Sequence, residues 1–179
     1  YKWVDAAKYL GCATIRVNAG GNGTREQVAA AAVDGLGRLG EYGKKAGINV
    51  IVENHGSYSS DGKWLSGVMK QVNMKNVGTL PDLGNFCIRR GKDGCEESYD
   101  RYIGTADLMP FAKGVSAKTN DFDENGNCVE TDYVKMMKII KAAKFKGYIG
   151  IEYEGSKHSE EEGIRKTKAL LEKVAGMVG

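Results

Sequence analysis

The chain has 179 residues, 41% of them hydrophobic and 27% charged, enough for one domain with a sizeable core. Its 26 basic and 23 acidic residues are interspersed and leave a net charge of +3, too balanced to argue for a nucleic-acid or anionic-membrane partner. No apolar run approaches the roughly 20 residues of a membrane helix. Four cysteines, Cys12, Cys87, Cys95 and Cys128, fall without C-x-x-C spacing. They match neither a zinc motif nor a dense disulfide framework, so free thiols are expected, with Cys87 and Cys95 the one pair to check. No signal peptide is visible. The chain starts at Tyr1 without Met, so a leader or further domain could precede it, and the cytoplasm is favoured over the periplasm.

In chain order, Trp3 to Gly11 reads as a helix closed by glycine. Ala13 to Asn18 is a strand ending in a glycine-rich turn. Thr24 with Gln27 forms a capping box for a helix to about Ala46, with Val28, Ala32, Leu36 and Leu39 on one face. Gly35, Gly37, Gly40 and Gly43 weaken that helix, and close packing is the expected reason. Asn49 to Glu53 is a short continuous apolar run, the mark of a buried parallel strand, running into Asn54 and His55. Side-chain alternation puts Ile51, Glu53 and His55 on one face. A short helix, 63–72, follows, then a strand over 76–82 whose Pro81 belongs at its end. A helix from roughly Glu96 to Phe111 precedes a strand at Gly114–Lys118. Asp121 to Asn127 is a polar turn; its acidic spacing lacks the glutamate a calcium loop needs at its twelfth position. A helix, 133–144, with Tyr133, Met137 and Ile140 on its core face, a strand, 148–154, and a helix capped by Ser159 complete the chain.

The alternation predicts a mostly parallel α/β sheet with right-handed crossovers. Five strands end in Asn18, Glu53, Asp82, Ser116 and Glu152, at steps of 35, 29, 34 and 36 residues. Such even spacing favours a closed barrel, with a flavodoxin-like open sheet as the alternative. Sites in α/β folds lie where strands end. Three carboxylates meeting there would repel unless a proton or cation sat between them, and a divalent ion on oxygen ligands is the economical solution. The competing interpretation is three independent, solvated or salt-bridged carboxylates.

The segments Ile51-Val52-Glu53-Asn54-His55, Leu80-Pro81-Asp82-Leu83-Gly84-Asn85-Phe86, Val115-Ser116-Ala117-Lys118 and Ile149-Gly150-Ile151-Glu152-Tyr153-Glu154-Gly155 resemble the xylose isomerase-like TIM barrels, which include sugar and sugar-phosphate isomerases and epimerases. The Pro-Asp-x-Gly-Asn stretch is similar to that of the ketose 3-epimerase branch. The resemblance implies a (β/α)8 barrel of which this single domain, 1–179, holds the C-terminal five βα units, about three N-terminal units being absent; eight units at this spacing need roughly 250 residues or more.

What the resemblance implies for the site is a divalent ion, Mn or Mg first and Zn or Co next, held by Glu53, Asp82 and Glu152. Ser116 stands where the family has a metal-binding histidine, so His55 becomes a candidate substitute ligand. Glu53 and Glu152 would move a proton next to a substrate carbonyl through an enediolate. Asn18, His55, Asn85, Ser116 and Lys118 would contact a small carbohydrate, with Arg16 lining the same cavity and Glu154 behind it. No nucleic-acid or membrane partner is implied, and a homo-oligomer is compatible with it. A lyase on a keto-sugar shares the first step. An inactive or sugar-binding descendant would explain Ser116. The DNA-repair endonuclease branch needs several more histidines than the two present.

Overall fold

Short apolar strands paired in parallel organise the computed structural model, which describes residues 1–178. The order is α1 (Lys2–Tyr9), β1 (Thr14–Val17), α2 (Arg25–Ala46), β2 (Asn49–Glu53), α3 (Gly62–Val72), β3 (Val77–Leu80), β4 (Cys87–Gly91), β5 (Gly94–Ser98), α4 (Arg101–Leu108), β6 (Val115–Thr119), α5 (Tyr133–Ala142), β7 (Ile149–Tyr153) and α6 (Glu160–Val178). β1, β2 and β3 pair in parallel, with Ile15 opposite Val50 and Val50 opposite Val77. β6 and β7 pair likewise, with Lys118 opposite Glu152. Parallel bridges Thr79–Ala112 and Asp82–Ser116 carry the pairing from β3 to β6. The order β1-β2-β3-β6-β7 is thus sequential apart from the β4–β5 excursion, as in successive barrel strands. Pro81 has no N–H to give, but its carbonyl accepts from the Ser116 amide at 2.8 Å, so the proline sits in the ladder at no cost to it.

Alternation along β2 decides where the core and the site lie. Val50 and Val52 are fully buried and pack with Val28, Leu36, Leu65 and Val68 of α2 and α3, leaving Ile51 and Glu53 on the opposite face. A second core joins Val115 and Ala117 of β6 to Met136 and Ile140 of α5 and Leu170 and Val174 of α6. Each such aliphatic side chain contributes about 1.5–3 kcal/mol on burial.

The α2 glycines divide. A Cβ on Gly40 would lie 2.6 Å from Val77, and one on Gly43 2.8 Å from the Ile48 carbonyl, whereas Gly35 and Gly37 face open space. Close packing therefore explains the second pair and not the first. The expected capping box is present: Gln27 donates its amide to Thr24 Oγ1 at 3.3 Å and Thr24 N–H reaches Gln27 Oε1 at 2.9 Å. Asp123 Oδ1 accepts the amides of Asn125 and Asn127 at 2.9 and 2.8 Å, which makes 121–127 the plain turn expected of it.

Two expectations need correction. The helix expected from Glu96 begins at Arg101, where Asp100 caps it by accepting from Tyr102 and Ile103, each at 2.9 Å. Glu96 instead belongs to an antiparallel hairpin, β4–β5, closed by a Cys87–Cys95 disulfide. Only Cys12 and Cys128 are free thiols. The hairpin escapes pattern reading because β5 is exposed throughout: with no buried face there is no alternation to detect. Its turn, Gly91-Lys92-Asp93-Gly94, brings the cysteines within bonding distance, and Arg89 reaches Glu96 and Glu97 at 3.8 and 3.6 Å.

Closing so short a loop contributes about 2–3 kcal/mol by the chain-entropy estimate, and the effect should stay local. Replacing both cysteines by serine should accelerate amide exchange in β4–β5 at least about tenfold while leaving β1–β3 protected; hydrogen-exchange mass spectrometry is the measurement.

Candidate functional site

Three strands end in the carboxylates that define the site. Glu53 is the last residue of β2, Asp82 lies two residues beyond β3, and Glu152 is next to last in β7. One oxygen from each lies within 4.8 Å of the others. Glu53 and Asp82 are buried, Asp82 completely, and Glu152 is half-buried.

Each carboxylate is held differently. Glu53 is ion-paired with Arg16 on β1, and Asn85 Nδ2 donates to its Oε1 at 3.0 Å. Asp82 Oδ1 accepts the amides of Gly84 and Asn85 at 2.9 and 2.8 Å; its Oδ2 is buried and has no hydrogen-bond partner. Glu152 accepts the Ser116 hydroxyl at 2.7 Å and pairs with Lys118 at 3.2 Å. Lys118, itself buried, also reaches Glu154 at 2.9 Å and Asn85 Oδ1 at 3.0 Å.

Asn54, to which the sequence reasoning assigned no role, fixes the relative position of two of these groups. It is fully buried. Its Oδ1 accepts the Asp82 amide at 2.7 Å, and its Nδ2 donates to the carbonyls of Asp82 and Asn85 at 2.9 and 3.0 Å. The signal was there: an amide side chain directly after Glu53, at the end of a buried strand, must satisfy both its donor and its acceptor.

The electrostatics follow. Burial pushes the Asp82 carboxyl up to about 7, against the opposing pull of Lys118 and the Gly84 amide. Burial also works against ionisation of Glu152, but the Ser116 hydroxyl and Lys118 outweigh it and hold that group below its usual value. Burial likewise disfavours the Lys118 cation, yet Glu154, Asp82 and Glu152 keep its pKa above the ordinary lysine value.

A buried carboxylate oxygen with no donor, facing two further carboxylates, calls for a proton or a cation. The donor set is oxygen only, which suits Mg²⁺ or Mn²⁺. The residues therefore fit a divalent ion.

His55, Asn85 and Lys118 line a cavity of about 290 Å³ together with Arg90 and Glu154. His55 is exposed and lies outside the carboxylate group; beyond Glu53 the chain leaves the strand for a turn, and alternation no longer governs side-chain direction. Ser116 touches Glu152 and thereby sits at the cluster. Asn18 lines a groove against Ala31, Gly35 and Leu36 of α2, not the cavity beside the cluster.

Residues 1–174 match the family model described as "Xylose isomerase-like TIM barrel". No curated protein sequence matches the chain. Similar solved structures include a xylose isomerase-like TIM barrel protein from Mycobacterium smegmatis in complex with magnesium, at 17% identity over 99% of this chain and 66% of that one, with a TM-score of 0.71. The IOLI protein with a binding zinc atom gives 16%, 99%, 68% and 0.75 for the same quantities. D-allulose 3-epimerase from Methylomonas sp. gives 17%, 97%, 67% and 0.73. At these identities the likeness is one of fold, and the chain spans about two thirds of the length of each.

In metal-free protein, Asp82 binds its proton more tightly folded, at about 7, than at its ordinary 3.8. Stability is thus expected to fall as pH rises from about 4 to about 7, by an amount on the order of a few kcal/mol. Glu152, depressed, acts only below its ordinary value, and Lys118, raised, only at alkaline pH. Urea unfolding in EDTA should show the decline, and Asp82→Asn should flatten it.

Proposed function

Because the chain belongs to the xylose isomerase-like TIM barrel family, we propose that it carries the metal site of a sugar or sugar-phosphate isomerase or epimerase. The observation that supports this most is the orphaned Asp82 Oδ2 among three converging carboxylates. In this view β1, β2, β3, β6 and β7 are five consecutive strands of an eight-stranded barrel.

Glu53, Asp82 and Glu152 would hold a divalent ion, Mg²⁺ or Mn²⁺ being the ions that an oxygen-only donor set suits. Such an ion supplies electrostatic stabilisation to the charge that develops on substrate oxygens when a proton leaves the carbon beside a carbonyl. The chain's own groups do the rest. Asp82, fixed by two backbone amides, serves as a ligand. Glu152, kept ionised by Ser116 and Lys118, would take the proton, and Glu53 would return it. Asn85 bridges Glu53 and Lys118. Arg16 balances Glu53. Lys118 and Asn85, with His55, would orient the hydroxyls of a small carbohydrate. The Cys87–Cys95 disulfide supports an oxidising compartment over the cytoplasm expected from sequence. The described helices are not long and apolar enough to cross a membrane.

Ser116 favours a second reading, a barrel descendant that binds sugar without turning it over: a hydroxyl given to Glu152 adds no donor to an ion. Proton exchange separates the two. In the full-length protein loaded with Mn²⁺, Glu152→Gln should slow exchange of the sugar's carbon-bound proton with deuterated solvent by at least about 100-fold while retaining metal. Exchange absent in the wild type would favour the second reading. Exchange unaltered in the variant would remove Glu152 from the proton path.

The oxygen-only donor set gives a further expectation, checked by competitive metal titration. The wild type should discriminate only weakly between Mn²⁺ and Zn²⁺, and Ser116→His should raise Zn²⁺ affinity at least about tenfold.

A further inference from the structure

Arg89 and Arg90 are adjacent on β4 but engage different surroundings. Arg89 is turned to Glu96 and Glu97 of β5, at 3.8 and 3.6 Å. Arg90 lines the cavity that also contains His55, Lys118 and Glu154; the ladder shifts register between the two arginines, the kind of irregularity that re-aims a side chain. The cations around the cluster are otherwise matched: Arg16 pairs with Glu53, and Lys118 with Glu152 and Glu154. Among the described residues Arg90 has no carboxylate partner. Its hairpin is covalently cross-linked by Cys87–Cys95, and Cys95 lies directly opposite Arg90, so the guanidinium is presented on a stiffened element and loses less freedom when it engages a ligand.

We infer that Arg90 anchors an anionic group, a phosphate or a carboxylate, on the molecule that occupies this cavity. The substrate class that follows, resting on the sugar chemistry proposed above, is a phosphorylated or acidic sugar and not a neutral one. A guanidinium presents two parallel N–H donors that fit the oxygens of either anion, and an isolated hydroxyl uses only one of them. Lys118 and Asn85 line the cavity and also bond Glu152 and Glu53, so the cavity adjoins the carboxylate cluster. One small molecule can therefore present its carbonyl end to the cluster and its anion to Arg90. With Asp82 ionised around a divalent ion, four carboxylates (Glu53, Asp82, Glu152, Glu154) face Arg16, Lys118, Arg90 and that ion, which leaves the loaded site net positive and suited to an anion.

Inorganic phosphate is the probe, titrated into the full chain and followed by ³¹P NMR, once in EDTA and once with Mg²⁺, in wild type, Arg90→Ala and Arg90→Lys. Arg90→Ala should weaken phosphate binding at least about tenfold under both conditions. Arg90→Lys should recover part of the loss by restoring charge without the paired donors. Mg²⁺ affinity should be the same in all three. Displacement of phosphate by acetate at similar concentration would assign a carboxylate; its failure would assign a phosphate. The inference is overturned if wild type binds no phosphate, or if Arg90→Ala binds it as tightly as wild type. Absence of any Mg²⁺ binding would overturn the metal-site proposal alone, since the EDTA titration reads the anion anchor without it.

Discussion

Three acidic side chains converge at the ends of strands β2, β3 and β7, and the local architecture exists to make that convergence tolerable. Carboxylates whose oxygens approach within 4.8 Å repel strongly where water is excluded. The chain offsets this with Arg16 on Glu53, Lys118 and Ser116 on Glu152, and two backbone amides on one oxygen of Asp82. The other Asp82 oxygen is left without a donor. Every other charge in the group is answered by the protein; that oxygen is not.

The parallel sheet makes the arrangement buildable. In consecutive parallel strands the chain always arrives at the same rim, so residues far apart in sequence end beside one another. The outward-facing Val50, Val52, Val115 and Ala117 bury against the helices. That burial sets register, and a slip of one residue would send Glu53 and Lys118 into the apolar layer. Core packing and site geometry are therefore one constraint seen from two faces of the same strand.

Much of this was legible in the sequence, and the parts that were not share a cause. The strand at Asn49–Glu53 declares itself by an apolar run and that at Val115–Thr119 by alternation, and the structure brings Glu53, Asp82 and Glu152 together. The helix starts at Thr24 and Asp132 carry capping side chains. The hairpin was invisible because β5 is exposed along its whole length. Periodic reasoning stops where the strand stops: His55 lies beyond β2, and Asn18 leads into a turn that takes it toward α2. Pattern reads what a core imposes. It is blind where loop geometry or a covalent cross-link does the imposing.

Asn54 shows how much of such a site can depend on a residue that is neither ligand nor base. Its amide both takes and gives a hydrogen bond across the gap between two strand ends. Aspartate has the same shape but no hydrogen to donate, leucine has neither function, and glutamine is one carbon too long for a fully buried slot. Position 54 thus has no near synonym in the amino-acid alphabet. A substitution there would let neighbouring strand ends drift while every acidic group stayed in place, so a damaged copy of this site could look complete to anyone checking only its acids.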